Sequence, residues 1–423
     1  MFDTTLEGAK RLDAADPLAR FRDEFHIPTL ADGRDEIYFC GNSLGLQPKR
    51  TRDYVNGFLD DWQRLGVKGH FDTKYAWMPY HEFLTDASAK LVGALAHEVV
   101  TMNSLTVNLH LMMVSFYRPT QTRYKILIED HAFPSDTYAV ASQLRHHGFE
   151  PSEAMLTIAP RAGEELIRTE DLQALIEREG DSIALILLPG VQYYTGQVLP
   201  FAEIVRLGHA KGCVVGFDLA HAVGNLELRL HDWDVDFACW CSYKYLNSGA
   251  GSVSGVFVHE RHARNTELPR FAGWWGHDKS TRFLMGSDFK AMPTAEGWQL
   301  SNPPILSLAA IRASLDVFME AGGMAPLRAK SEQLTGYLEQ LLKAECGDHI
   351  AIITPENPAE RGCQLSLTVR SDQMSGKELH QRMEDAGITC DWREPNVIRV
   401  APTPLYNRFV DAWNFVHILK GLI

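Results

Sequence analysis

From about residue 124 the chain alternates short apolar runs with segments whose apolar residues recur at helical spacing. "YKILIED" and "AMLTIAP" predict buried strands, and between them "TYAVASQLRHHG" predicts a helix closed by Gly148. In "DLQALIEREG", Leu172, Leu175 and Ile176 form an i, i+3, i+4 stripe that stops at Gly180, and the strand "SIALILLPGV" follows at once. The helix "FAEIVRLGHAKG" and the strands "CVVGFDLAH" and "VDFACWCSY" continue the series. Strands alternating with helices of this length imply right-handed crossovers, so the expected class is α/β with a mostly parallel central sheet flanked by helices. Beyond residue 304 the pattern changes to an amphipathic helix from about Pro304 to Ala321, a charged helix "LRAKSEQLTGYLEQLLKAE", and two short strands, "CQLSLTVR" and "NVIRVAP". The expected division is a large α/β domain over 65–305, a smaller α+β domain over 306–423, and an N-terminal segment, 1–64, that joins the smaller one.

Composition narrows the function. With 423 residues, 45% of them apolar, the chain can build the large core this pattern requires. Its 54 acidic against 41 basic residues, net −13, argue against a nucleic-acid partner, which needs a basic face, and favour a small-molecule substrate. The charged start "MFDTTLEGAKRLDAADPLARFRDEF" lacks the apolar core of a signal peptide, and "IALILL" is far too short to span a membrane. A cytoplasmic protein is expected. Seven cysteines are too sparse for a disulfide scaffold, and Cys239 and Cys241 have no second pair to complete a metal site, so they read as core and no metal is expected.

One lysine stands out. Lys244, in "CWCSYKYLNSGAG", is the only charge in a run of cysteines, aromatics and small residues. A sequestered lysine amine becomes a usable nucleophile. Asp218 ends the preceding predicted strand, and ligands of such sheets sit at the carboxyl ends of strands. A lysine that can form a Schiff base, with a carboxylate to hold a pyridine nitrogen protonated, is what pyridoxal phosphate chemistry needs. It also needs a phosphate site. In "TMNSLTVNLHLMMVSFY", Ser104 or Asn103 can cap a helix whose first N–H groups, at Leu105 and Thr106, face an anion.

The stretches "YFCGNSLGLQPK", "MNSLTVNLHL", "AFPSD", "GFDLAHAVGN", "VDFACWCSYKYLNSGAG", "GWWGH", "SNPPIL" and "PNVIRVAP" run along nearly the whole chain. By them it resembles the kynureninases, within the aminotransferase-like fold-type I pyridoxal phosphate family. The resemblance implies that Lys244 carries the cofactor, Asp218 pairs with its pyridine nitrogen and Phe133 stacks on its ring. Leu105, Thr106 and Tyr243 would hold the phosphate, while Pro134, Ser135, Asp136 and His221 would belong to the cofactor pocket. Trp274 and Asn302 would complete it from a second subunit of a homodimer. Ser43, His70, Asn302 and Arg399 would bind the substrate, Arg399 gripping its α-carboxylate. One departure is Pro189, where family members often place a pocket serine.

The implied reaction is hydrolysis of L-kynurenine or 3-hydroxykynurenine to L-alanine and anthranilate or 3-hydroxyanthranilate, in tryptophan catabolism or the supply of an NAD precursor. Lys244, Asp218 and Tyr243 would be its catalytic residues. The alternative is a cysteine desulfurase-like lyase of the same fold, for which Cys363 would be the sulfur acceptor; it begins an alternating strand, however, and no glycine-rich loop follows it. A pyridoxal phosphate-dependent transcription regulator is disfavoured, because the acidic segment before the fold is too short for a DNA-binding domain.

Overall fold

The computed structural model describes residues 2–370 and 374–423. Its strands, in chain order, are β1 (Ile37–Tyr38), β2 (Val99–Thr101), β3 (Lys125–Glu129), β4 (Met155–Ile158), β5 (Ile183–Pro189), β6 (Val214–Asp218), β7 (Phe237–Trp240), β8 (Gly255–Val258), β9 (Ile350–Ile352), β10 (Leu365–Val369), β11 (Ile388–Thr389), β12 (Asp391–Arg393) and β13 (Val397–Val400). Seven of them form the central sheet in the order β2-β8-β7-β6-β5-β3-β4. The contiguous apolar runs lie in its middle because a parallel sheet covered on both faces buries every side chain of its strands. Alternation then sorts them: Leu127, Ile186, Leu188 and Phe217 enter the core on one face, and Ile126, Ile128, Leu187 and Phe237 the core on the other.

Strands β4, β3, β5, β6 and β7 run parallel, while β8 is antiparallel to β7 and β2 antiparallel to β8. The chain order reverses between β3 and β5, and at such a switch point the carboxyl ends of the strands open a crevice. Glu129, Pro189 and Asp218 end β3, β5 and β6 there.

The C-terminal part is richer than the two expected strands. Four antiparallel strands, β12-β13-β10-β9, form its sheet, and β1 from the N-terminal segment pairs parallel with β11. Ala9 and Phe39 lie in the same core as Leu338, Leu365 and Phe415. Helix Ile305–Glu320, which the pattern assigns to the C-terminal part, instead sends Leu308, Ile311, Leu315 and Phe318 into the core beneath the large sheet. Helix Thr51–Leu65 packs on it, with Tyr54 and Phe58 against that same core. Among the described residues no helix is long and apolar enough to cross a membrane.

Candidate active site

At the carboxyl ends of the strands lies a cavity of about 360 Å³. Lys244 enters it from the loop after β7, and its Nζ lies 2.9 Å from Nε2 of His221. The loop is held from the N-terminal segment: Gly45 donates its N–H to the Tyr243 carbonyl at 2.8 Å. A Cβ at Gly45 would stand 2.4 Å from the Lys244 carbonyl oxygen and 2.2 Å from the Asn247 amide oxygen, so only glycine permits this approach. His221 is buried, and desolvation together with the Lys244 charge pushes its pKa well below the usual histidine range. The imidazole is therefore neutral, and its Nε2 can accept a hydrogen bond from the Lys244 amine.

Asp218 accepts the N–H of Ala220 at 2.7 Å and faces the same cavity as Asp136, in the first turn of helix Pro134–His146. Burial raises both carboxyls, and the Asp218 charge then holds Asp136 well above the ordinary range. Two buried carboxyls facing one cavity favour a cation between them. Glu129 is also raised, by burial and then by Asp218, and its Oε2 has no hydrogen-bond partner. A carboxyl whose pKa is raised on folding binds a proton that the unfolded chain has released, so stability falls as pH rises from the unfolded value through the folded one. Asp136→Asn is thus expected to stabilise the cofactor-free protein at neutral pH, by on the order of 1 kcal/mol. The gain should vanish near pH 3, where the unfolded aspartate is protonated too. Urea denaturation of both proteins at the two pH values checks this; an Asn variant no more stable at neutral pH would contradict it.

Helix Leu105–Phe116 points its N-terminus into the cavity. Ser104 occupies the N-cap position, but its side chain makes no capping bond, which leaves the first N–H groups for a ligand. The Thr106 and Ser135 hydroxyls, 2.6 Å apart, stand beside it. Phe133 is 45% exposed, and its ring centroid lies 6.0 Å from the Lys244 Nζ. The Tyr243 phenol lines the wall, its pKa pushed up by burial and then by Cys241. Together these groups can hold a flat, phosphate-bearing, cationic ring against a primary amine.

The opposite wall comes from the C-terminal sheet. Arg399 is not a solvated edge residue: β13 is an interior strand, and the side chain is 1% exposed. Its Nε and Nη2 lie 3.1 and 2.8 Å from Oδ1 of Asp391, and its Nη1 donates to the Tyr193 carbonyl at 2.8 Å. Asp391 is shared, since its Oδ2 lies 3.1 Å from Nη2 of Arg393. Two guanidinium groups bracket one carboxylate, so one positive charge remains for an anion in the cavity.

The cavity gathers Ser43, Leu105, Thr106, Phe133, Ser135, Asp136, Asp218, His221, Tyr243, Lys244 and Arg399, with Pro189 also on its wall. Four expected residues lie outside it in this single chain. Pro134 starts its helix between Phe133 and Ser135, where its fixed φ suits the first turn. His70 packs its ring 5.1 Å from Trp77, Trp274 is 41% exposed with its indole donating to the Arg282 carbonyl, and Asn302 is exposed. Asn42, Glu129, Tyr193 and Arg393 line the cavity without having been singled out. The signal for Asn42 was its place in "CGNSLG"; Arg393 reaches the cavity only through the pairing of β12 with β13, which nothing in its local sequence marks. Cys363 is 1% exposed with its thiol pushed up to about 12 by burial, which removes it as a sulfur acceptor. Cys239 and Cys241 are buried in the core, as their spacing suggested.

Solved structures of similar shape include the cystine C-S lyase C-DES in complex with cysteine persulfide, with TM-score 0.75 at 18% identity over 92% of this chain and 97% of that one. A cysteine desulfurase from Escherichia coli gives TM-score 0.75 at 15% identity, covering 96% and 98%. At these identities the likeness is one of fold: the α/β architecture is that of the fold-type I enzymes. The profile of the kynureninase C-terminal domain matches residues 327–419. The kynureninase of Koribacter versatilis is 59% identical over 98% of this chain and 97% of its own length, and that of Myxococcus xanthus 57% over 100% and 98%. Identity of this order along the whole length places the protein: it belongs to the kynureninase family.

Proposed function

We propose that the protein is a pyridoxal phosphate-dependent hydrolase that cleaves L-kynurenine or 3-hydroxykynurenine to L-alanine and the matching anthranilate. The observation that carries this reading is the convergence, in one cavity, of Lys244, the Asp136–Asp218 carboxyl pair, an uncapped helix N-terminus and Arg399. Those residues fit the cofactor. The helix N-terminus with Thr106 and Ser135 suits its phosphate, the carboxyl pair its pyridine nitrogen, the Phe133 face its ring and Lys244 its carbonyl carbon. When bound, the cofactor supplies an electron-withdrawing ring that takes up the charge left when the substrate loses its α-proton.

The chain's own residues do the rest. Arg399, pre-set by Asp391 and the Tyr193 carbonyl, grips the substrate carboxylate, with Ser43 beside it. Lys244, freed by the substrate amine, takes the α-proton, and the neutral His221 steadies its amine. Water adds at the γ-carbonyl, the Cβ–Cγ bond breaks, and the Tyr243 phenol, kept protonated by burial, gives a proton to the β-carbon that becomes the alanine methyl. Trp274, Asn302 and His70 join the site in a homodimer, a reading supported by the exposed Phe71, Phe283, Leu284 and Met285. The reaction serves tryptophan breakdown or the making of an NAD precursor in the cytoplasm. The C-terminal sheet, with the strand β1 that the N-terminal segment adds beside it, acts as the smaller domain, which brings Arg399 to the cofactor.

Incubation with pyridoxal phosphate and each kynurenine tests the proposal, with alanine and the anthranilate as expected products in equal amounts. Release of sulfur from cysteine, without cleavage of either kynurenine, would overturn it. Arg399→Lys keeps the charge but loses the two-point grip. It is expected to lower kcat/KM by roughly ten- to a hundredfold, the worth of one charge-assisted hydrogen bond of about 1.5–3 kcal/mol. Cofactor affinity should stay near wild type. An equal loss on an analogue that lacks the α-carboxylate would return Arg399 to a structural part.

A further inference from the structure

A second cleft, sharing no lining residue with the first cavity, lies between helices Thr51–Leu65 and Ile305–Glu320 and the segment at 74–80. Its volume is about 580 Å³, within the range of small-molecule sites. Arg312 lines it and is 8% exposed, yet it forms no ion pair or hydrogen bond among the described residues, and its Nε and Nη1 are buried without an acceptor. Its guanidinium carbon lies 3.4, 4.5 and 5.3 Å from the ring centroids of Tyr75, Tyr54 and Tyr80.

Cation–π contacts offset part of the desolvation of such a group, but a buried charge without a counterion is costly. An anion at Arg312 would supply it. Asp316, one turn along the same helix, makes no ion pair with Arg312 among the described residues and accepts the Tyr54 hydroxyl instead. The other charges restrict what that anion can be. Asp61 is engaged by Arg64 and Thr73, and the Lys74 ammonium sits 5.0 Å from the Tyr75 ring. Asp53 and Asp60 are exposed and form no ion pair among the described residues. A simple anion would meet those two carboxylates. A zwitterion would use them.

We propose that this cleft is a binding site for an aromatic α-amino acid, its carboxylate on Arg312, its ammonium toward Asp53 and Asp60, and its ring against the walls of Phe58, Trp77 and the tyrosines. None of its lining residues lines the cavity that holds Lys244.

Equilibrium dialysis of L-phenylalanine against borohydride-reduced holoenzyme tests it, because reduction fixes the cofactor to the chain and closes the first site to amines. The expected result is one L-phenylalanine per chain. Phenethylamine and 3-phenylpropionate, each lacking one charge, should bind at least tenfold more weakly, and Arg312→Gln should lower L-phenylalanine affinity by at least tenfold. Tyr75→Leu, which removes a half-buried ring, should do the same and stands in should Arg312→Gln not fold. No uptake by the reduced enzyme, or uptake unchanged in a folded variant, overturns the proposal. So does a shift of Arg312→Gln from dimer to monomer with uptake unaltered, which would assign the missing counterion to a second copy of the chain. Failure of borohydride to fix the cofactor counts against the Lys244 reading instead. Uptake at the second cleft is then still read from the difference between wild type and Arg312→Gln.

Discussion

Lys244→Ala is expected to lower turnover of kynurenine by about a thousandfold or more, about 4 kcal/mol of activation free energy. Two functions vanish together, the amine that anchors the cofactor and the base that takes the α-proton. No other lysine lines the cavity, and the nearest basic atom, Nε2 of His221, has no means of forming a Schiff base. The fold should survive, since Lys244 sits on a loop whose backbone is held through the Tyr243 carbonyl. The visible absorbance of the holoenzyme should disappear, and borohydride should no longer attach the cofactor to the chain. A variant that stays coloured after dialysis and is still labelled by borohydride would show that another amine does this work.

Asp218→Asn carries the second large effect. Asparagine keeps the size of the side chain and an oxygen that can accept the Ala220 N–H, so the end of β6 should be undisturbed. It removes the charge that a pyridine nitrogen needs beside it to stay protonated. Loss of one pre-set electrostatic partner of this kind costs roughly 100- to 1,000-fold in rate. The variant should retain cofactor but exchange the α-proton of substrate far more slowly, as deuterium uptake at that carbon would record. Exchange near the wild-type rate would reduce Asp218 to a turn residue.

Much of this was legible in the chain because the deciding residues sit where local pattern ends. Asp218 and Lys244 each follow a run of apolar residues, and the rule that ligands gather at the carboxyl ends of parallel strands joins them without further information. The strands β3 to β7 came out of their apolar runs for the same reason. Strands β2 and β8 did not, being three and four residues long and set by pairing with each other and with β7. The partner of Arg399 was hidden too. Asp391 meets it only because β12 and β13 pair in one register, and Arg393 follows from the same hairpin. Register across a hairpin is a tertiary fact, and a lone charged residue on a short strand carries no trace of it. That helix Ile305–Glu320 packs beneath the large sheet was not legible either, because its apolar stripe states that it is buried, not against which core.

The contact between Gly45 and the Lys244 loop bears on the order in which the molecule is built. The loop cannot take its final shape until a segment from the far N-terminal side of the chain has docked on it, and such distant closures come late in folding. A chain whose sheet is already formed but whose Gly45 segment is still loose would have the lysine without its setting. Capture of the cofactor then marks the last stage of assembly, and its colour is a clock for refolding.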